Sequence, residues 1–82
     1  MEKKPIGEIT HYYDKIGVAI VKFKKAVKVG VMLNFKGANT DFTQEVESMQ
    51  YDHEDIKSAK KGQEVGIKVD QKVREGDKVY EA

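Results

Sequence analysis

The chain has 82 residues, no cysteine, and 15 basic against 14 acidic side chains, for a net charge of +1. Disulfides and thiolate metal sites are excluded, the length suits one domain with a modest core, and the basic excess of a dedicated nucleic-acid binder is missing. The longest apolar run, Gly17 to Val21, is far short of the ~20 residues of a membrane span, and Met1-Glu2-Lys3-Lys4-Pro5 holds no signal-peptide core, so a cytoplasmic protein without membrane association is expected.

Residues 1–5 read as a loose tail that Pro5 ends, and residues 6–82 as a single domain. Ile6 to Tyr13 predicts a strand with Gly7, Ile9, His11 and Tyr13 on one face. Asp14-Lys15-Ile16-Gly17 has turn chemistry, and the apolar run Val18 to Phe23 after it predicts the second arm of a hairpin. Lys24 to Lys28 is basic apart from Ala26 and Val27, and Val29-Gly30 closes it. Met32 to Lys36 is the next strand, with Leu33 and Phe35 together, and Gly37 to Asp41 is a turn. Phe42 to Met49 predicts one long strand. Val46 and Met49 are three apart, so both point inward only if a β-bulge sits near Glu47-Ser48.

Asp52-His53-Glu54-Asp55 reads as an acidic loop, and Ile56 with Ala59 as one helical turn or a loop plugging a barrel end. Lys60-Lys61-Gly62 turns into a strand in which Val65, Ile67 and Val69 alternate with polar or open positions. Arg74-Glu75-Gly76-Asp77 turns again before Val79 and Tyr80. The expected core is Ile9, Val18, Ile20, Leu33, Val46, Val65, Ile67 and Val69. No helical period persists, and short strands with regular turns predict an all-β fold, a small closed antiparallel barrel.

The order Ile6-Gly7-Glu8-Ile9, Ile16-Gly17-Val18-Ala19-Ile20, Val27-Lys28-Val29-Gly30, Val46-Glu47-Ser48-Met49, Ala59-Lys60-Lys61-Gly62 and Glu75-Gly76-Asp77 resembles the translation-protein β-barrel, the second domain of elongation factor Tu and initiation factor 2. The resemblance runs from about Ile6 to Tyr80 and implies a closed six-stranded antiparallel barrel. It departs at Val31, where that family commonly has an acidic residue. No phosphate-loop motif is present, so neither a nucleotide nor GTPase activity is carried over. The resemblance implies a standalone barrel that binds RNA (tRNA or rRNA) or a ribosome-associated, translation-related protein. Similar barrels are also appended to unrelated enzymes, collagenase-like peptidase relatives included, so the fold does not name the partner.

No catalytic constellation is visible: Ser48 and Ser58 have no motif around them, and no cofactor is implied. His11 near Asp14, and His53 among Asp52, Glu54 and Asp55, are imaginable metal ligands, but contiguous loop carboxylates seldom converge and no metal site is expected. The candidate contact surface is Tyr12, Tyr13, Lys15, Lys22, Lys24 and Lys25, all on or just after the first hairpin. Aromatic rings there could stack on bases while lysines neutralise phosphates. The bland reading of the same residues is a core tyrosine and solvated strand edges. A second functional reading is an accessory structural domain that docks onto a separately encoded enzyme or GTPase, which requires an exposed apolar patch.

Overall fold

A computed structural model of the chain describes residues 4–38, 40–52 and 54–82. Among these residues there are ten strands and no helix: β1 Gly7–Tyr13, β2 Val18–Phe23, β3 Val27–Lys28, β4 Met32–Gly37, β5 Thr40–Glu45, β6 Met49–Tyr51, β7 Glu54–Ile56, β8 Ser58–Ala59, β9 Glu64–Lys68 and β10 Lys78–Glu81. Eight form one antiparallel sheet in the order β5-β4-β10-β1-β2-β9-β6-β7, and β3 pairs with β8 as a separate ribbon. The all-β expectation holds. The closed six-stranded barrel does not: the sheet has eight strands, and no ladder joins its outer members β5 and β7.

The sheet still curls, because residues from both of its ends share one core. Phe35 and Phe42 of β4 and β5 belong to the same buried cluster as Ile67 of β9 and Met49 of β6. Where the ladder stops, the Gln44 side chain bridges the gap. Its Nε2 donates to the Lys68 carbonyl at 2.9 Å, and its Oε1 accepts from the Asp70 amide at 2.8 Å. A side-chain amide thus offers the β9 end the donor and acceptor that a neighbouring strand would have supplied.

The first hairpin forms as expected, with Gly17 at φ 66° ending its turn. Its faces are not those expected. Ile9 pairs with Val21, but His11 pairs with Ile20, so Thr10 is an extra residue in β1. That bulge reverses the alternation: Ile9 and Tyr12 turn toward the core, while His11 and Tyr13 face outward. In β2 the buried set is Ala19, Val21 and Phe23, whereas Val18 and Ile20 are only half-buried on the outer face. Two of the eight expected core residues are therefore misplaced. Lys22 could have shown this, since its charge belongs outside and Val18 and Ile20 share its parity. Ile9, Leu33, Val46, Val65, Ile67 and Val69 are buried as expected.

The long strand over 42–49 is two strands. Val46 leaves β5 to bond with Gly30 and Val31, and Met49 begins β6 against Ile67. Both side chains do point inward, through this change of partner and without a bulge. Of the expected acidic loop, Glu54 and Asp55 belong to β7, paired with Tyr51 and Gln50, and Asp52 has φ 53°; His53 lies outside the described residues. Ile56 ends β7, and Ala59 pairs with Val27 in the ribbon, so neither belongs to a helical turn.

The turn before β10 is locked by Asp77, which is 7% exposed. Its Oδ2 accepts from Thr40 Oγ1 at 2.5 Å and from the Arg74 amide at 2.9 Å. Gly37 ends β4 directly against this carboxylate, and any Cβ there would collide with it. No buried side-chain nitrogen or oxygen among the described residues lacks a partner.

Candidate functional site

The outer face of β1, β2 and β9 carries two hollows, both bordered by β2. One, of about 490 Å³, is lined by Glu8 and Thr10 of β1, Lys22 and Phe23 of β2, and Lys24, Lys61 and Gly62 beyond the strand ends. The other, of about 340 Å³, lies at the opposite end of the hairpin between Tyr13, Ile16, Val18 and Ile20 on one side and Gln50, Asp52, Glu64 and Gly66 on the other.

Register fixes the electrostatics of the first hollow. Across five strands, Lys36 opposes Lys78, Lys78 opposes Glu8, Glu8 opposes Lys22, and Lys22 opposes Glu64. Glu8 Oε1 accepts from Lys78 Nζ at 2.8 Å. That hydrogen bond and the Lys78 charge hold the Glu8 carboxyl below the usual carboxylate range, with Lys24 and then Lys22 adding to the effect. Lys24 and Lys61 form no ion pair among the described residues and leave this end of the face positive.

The second hollow is apolar at its centre. Ile16 is 65% exposed and Tyr13 48% exposed, and the flank is Val18 and Ile20. Its floor is the bare backbone of Gly66: an added Cβ would lie 3.2 Å from Val18 Cγ1 and 3.5 Å from Ile20 Cδ1. Gly66 sits on the outer face opposite Ile20, between the buried Val65 and Ile67.

The structure separates the six expected contact residues. Tyr12 is half-buried, packed against the core. Tyr13 faces outward with its ring centroid 4.4 Å from that of His11, in an edge-on arrangement, and Lys15 is exposed in the adjoining turn. Lys22 and Lys24 lie at the other end of the hairpin. Four residues of β2 at ~3.3 Å each place Lys22 about 13 Å from Val18, the partner of Tyr13. Lys25 turns away to Glu81, Nζ to Oε2 3.1 Å. Sequence reasoning missed Ile16 and Lys61 as surface candidates. An isoleucine in an otherwise polar turn was the signal available for the first; the pairing of Lys61 with Lys24 needed the fold.

Nothing assembles as a catalytic or metal centre among the described residues. His11 Nδ1 is 3.4 Å from Glu75 Oε1, away from the imagined Asp14. No three His, Asp or Glu side chains gather as a ligand set among the described residues, and the imagined His53 site rests on a residue outside them. Ser48 and Ser58 are exposed, with no side-chain hydrogen bond to a histidine or carboxylate among the described residues. No helix there is long and apolar enough to cross a membrane.

Comparison with known proteins places this chain in a family. An uncharacterized protease of Methanocaldococcus jannaschii is 40% identical over 79 residues, which is 95% of this chain and 19% of that protein. A collagenase of Porphyromonas gingivalis is 31% identical over 81 residues, 96% of this chain and 22% of that protein. The chain thus spans about a fifth of the length of these curated relatives. The crystal structure of the C-terminal domain of a Geobacillus thermoleovorans protein described as a U32 peptidase superposes with a TM-score of 0.89 at 21% identity, covering 95% of this chain and 99% of that one. That likeness shows a shared fold. The pattern described as the peptidase family U32 C-terminal domain matches residues 2–78. These matches overturn the translation-protein resemblance and the standalone RNA-binding module expected from it. The motifs behind that resemblance are mostly chain reversals at glycine, which many small β-folds need, so they carried geometry more than ancestry. The chain belongs to the family of peptidase U32 C-terminal domains.

Proposed function

We propose that this domain is a non-catalytic accessory module that docks onto the larger body of a U32-family protein. The observation that carries the reading is the proportion of the match. Nearly the whole chain aligns with about a fifth of each relative, so the remaining four-fifths of those proteins offers a larger body onto which such a domain can dock. The outer face supports it, with an apolar hollow at one end of a hairpin and, at the other, lysines that form no ion pair among the described residues. The domain itself supplies attachment and orientation, and bond cleavage belongs to the body.

The test is a titration of the isotopically labelled chain with the Methanocaldococcus jannaschii relative from which the matching segment has been removed, its folding checked by circular dichroism. A tethered domain experiences an effective concentration of roughly 1 mM, so saturable binding at or below that value supports docking. Unchanged spectra throughout the titration reject it. Hydrolysis of a denatured-collagen substrate by the 82-residue chain alone would reject the non-catalytic assignment.

A further inference from the structure

Resting on that docking reading, we infer that the contact surface is the outer face of β2 with its two flanks: Tyr13, Ile16, Val18 and Ile20 around Gly66 receive an apolar projection of the peptidase-family body, and Lys24 and Lys61 meet acidic groups on it.

Three observations converge on this face. The exterior of β5 is polar, as an antiparallel sheet facing water should be, with Asp41, Thr43 and Glu45 pointing out, and β4 presents Lys36 with a single exposed Met32. On β2 the outward positions Val18 and Ile20 are aliphatic, and the turn beside them exposes Ile16 where polar residues are the rule. Next, Gly66 keeps a hollow of about 340 Å³ open beside them, which a side chain at that position would fill. That is a concave receptor for a projecting side chain, unlike a merely apolar plane.

The third observation concerns where the body must arrive. The family is described as a C-terminal domain, so a body that precedes such a domain connects to it at β1. The start of β1 lies at the lysine end of this face: Gly7 pairs with Phe23, and the Lys24 amide donates to the Ile6 carbonyl at 2.7 Å. A body attached there can lie along β2 from Lys24 toward Ile16 without crossing the molecule. Lys24 and Lys61, which form no ion pair among the described residues, favour an acidic rim on it.

Hydroxyl-radical footprinting tests the assignment, because among the described residues five large apolar side chains are exposed and report separately: Tyr13, Ile16, Val29, Met32 and Tyr51. Labelling is compared between the free chain and the full-length Methanocaldococcus jannaschii relative carrying this chain in place of its own matching segment. It is repeated on a mixture of the free chain with the segment-deleted relative, so that a poorly folding chimera does not decide the matter. Labelling of Tyr13 and Ile16 should fall several-fold, with Val29 and Met32 unchanged. In the mixture, Ile16→Asp should weaken binding roughly tenfold or more, while Met32→Asp leaves it unaltered. Protection confined to Val29 and Met32 overturns this surface and leaves the docking reading standing. Absence of protection at every reporter removes the docking reading as well. Protection of Tyr13 and Ile16 in the free chain alone as its concentration rises would make a second copy the occupant and overturn the assignment.

Discussion

Replacing Gly37 by alanine should destabilise the fold by about 2–4 kcal/mol, although the backbone gives no reason for it. Gly37 is not among the glycines with positive φ, and at such sites alanine ordinarily stabilises by about 0.4–1 kcal/mol through the unfolded chain. The cost comes from Asp77. Its carboxylate fills the space over Gly37 and holds Thr40 Oγ1 at 2.5 Å and the Arg74 amide at 2.9 Å. A methyl group there forces the carboxylate or the β4–β5 hairpin aside. Hydrogen bonds to a charged group contribute about 1.5–3 kcal/mol each, and at least one must lengthen or break while the carboxylate stays buried. A domain of this size has a total stability of about 4–12 kcal/mol, so the change is readily measured by urea denaturation. The mechanism predicts the sign of a double-mutant cycle. Asp77→Ala costs about 2–4 kcal/mol by itself, and in that background Gly37→Ala becomes neutral or stabilising by up to ~1 kcal/mol. Equal cost in both backgrounds, or a fully stable Gly37→Ala, refutes the steric account.

Gln44→Leu should cost about 2–4 kcal/mol in the same assay, because the Lys68 carbonyl and the Asp70 amide lose their partner; an unchanged midpoint would show that the side-chain bridge does not hold the curl. Ile67 has no exposed surface, and truncation to alanine should cost about 2–5 kcal/mol, with an unaltered melting temperature contradicting its placement in the core. Glu8 gives a pH dependence. Its folded-state carboxyl titrates below its unfolded value, chiefly through Lys78, so its contribution is fully present above the unfolded value and is lost as pH falls through the folded one. The stability gap between the wild type and Glu8→Gln should therefore narrow between neutral pH and about pH 3, and a gap that widens on acidification would reverse the assignment.

Local chemistry in this chain determined the all-β class, the first hairpin and the reversals at Gly17, Gly62 and Gly76, because period-two alternation and positive φ are written residue by residue. The tertiary structure decided everything that depends on partner choice. The bulge at Thr10 turned Tyr12 toward the core, and the break after Val46 let one apolar run serve two neighbours. Neither shows in local pattern, since a bulge or a change of partner leaves each short segment as strand-like as before. The same holds for the surface. Tyr13, Lys22 and Lys25 are close in sequence, yet the pleat and a contact with Glu81 send them to different places. Lys61 joins Lys24, and Gly66 opens a hollow beside Ile16, only because β9 lies next to β2. Strand order is a property of the whole core, so a face assembled from three strands has no signature in any one of them.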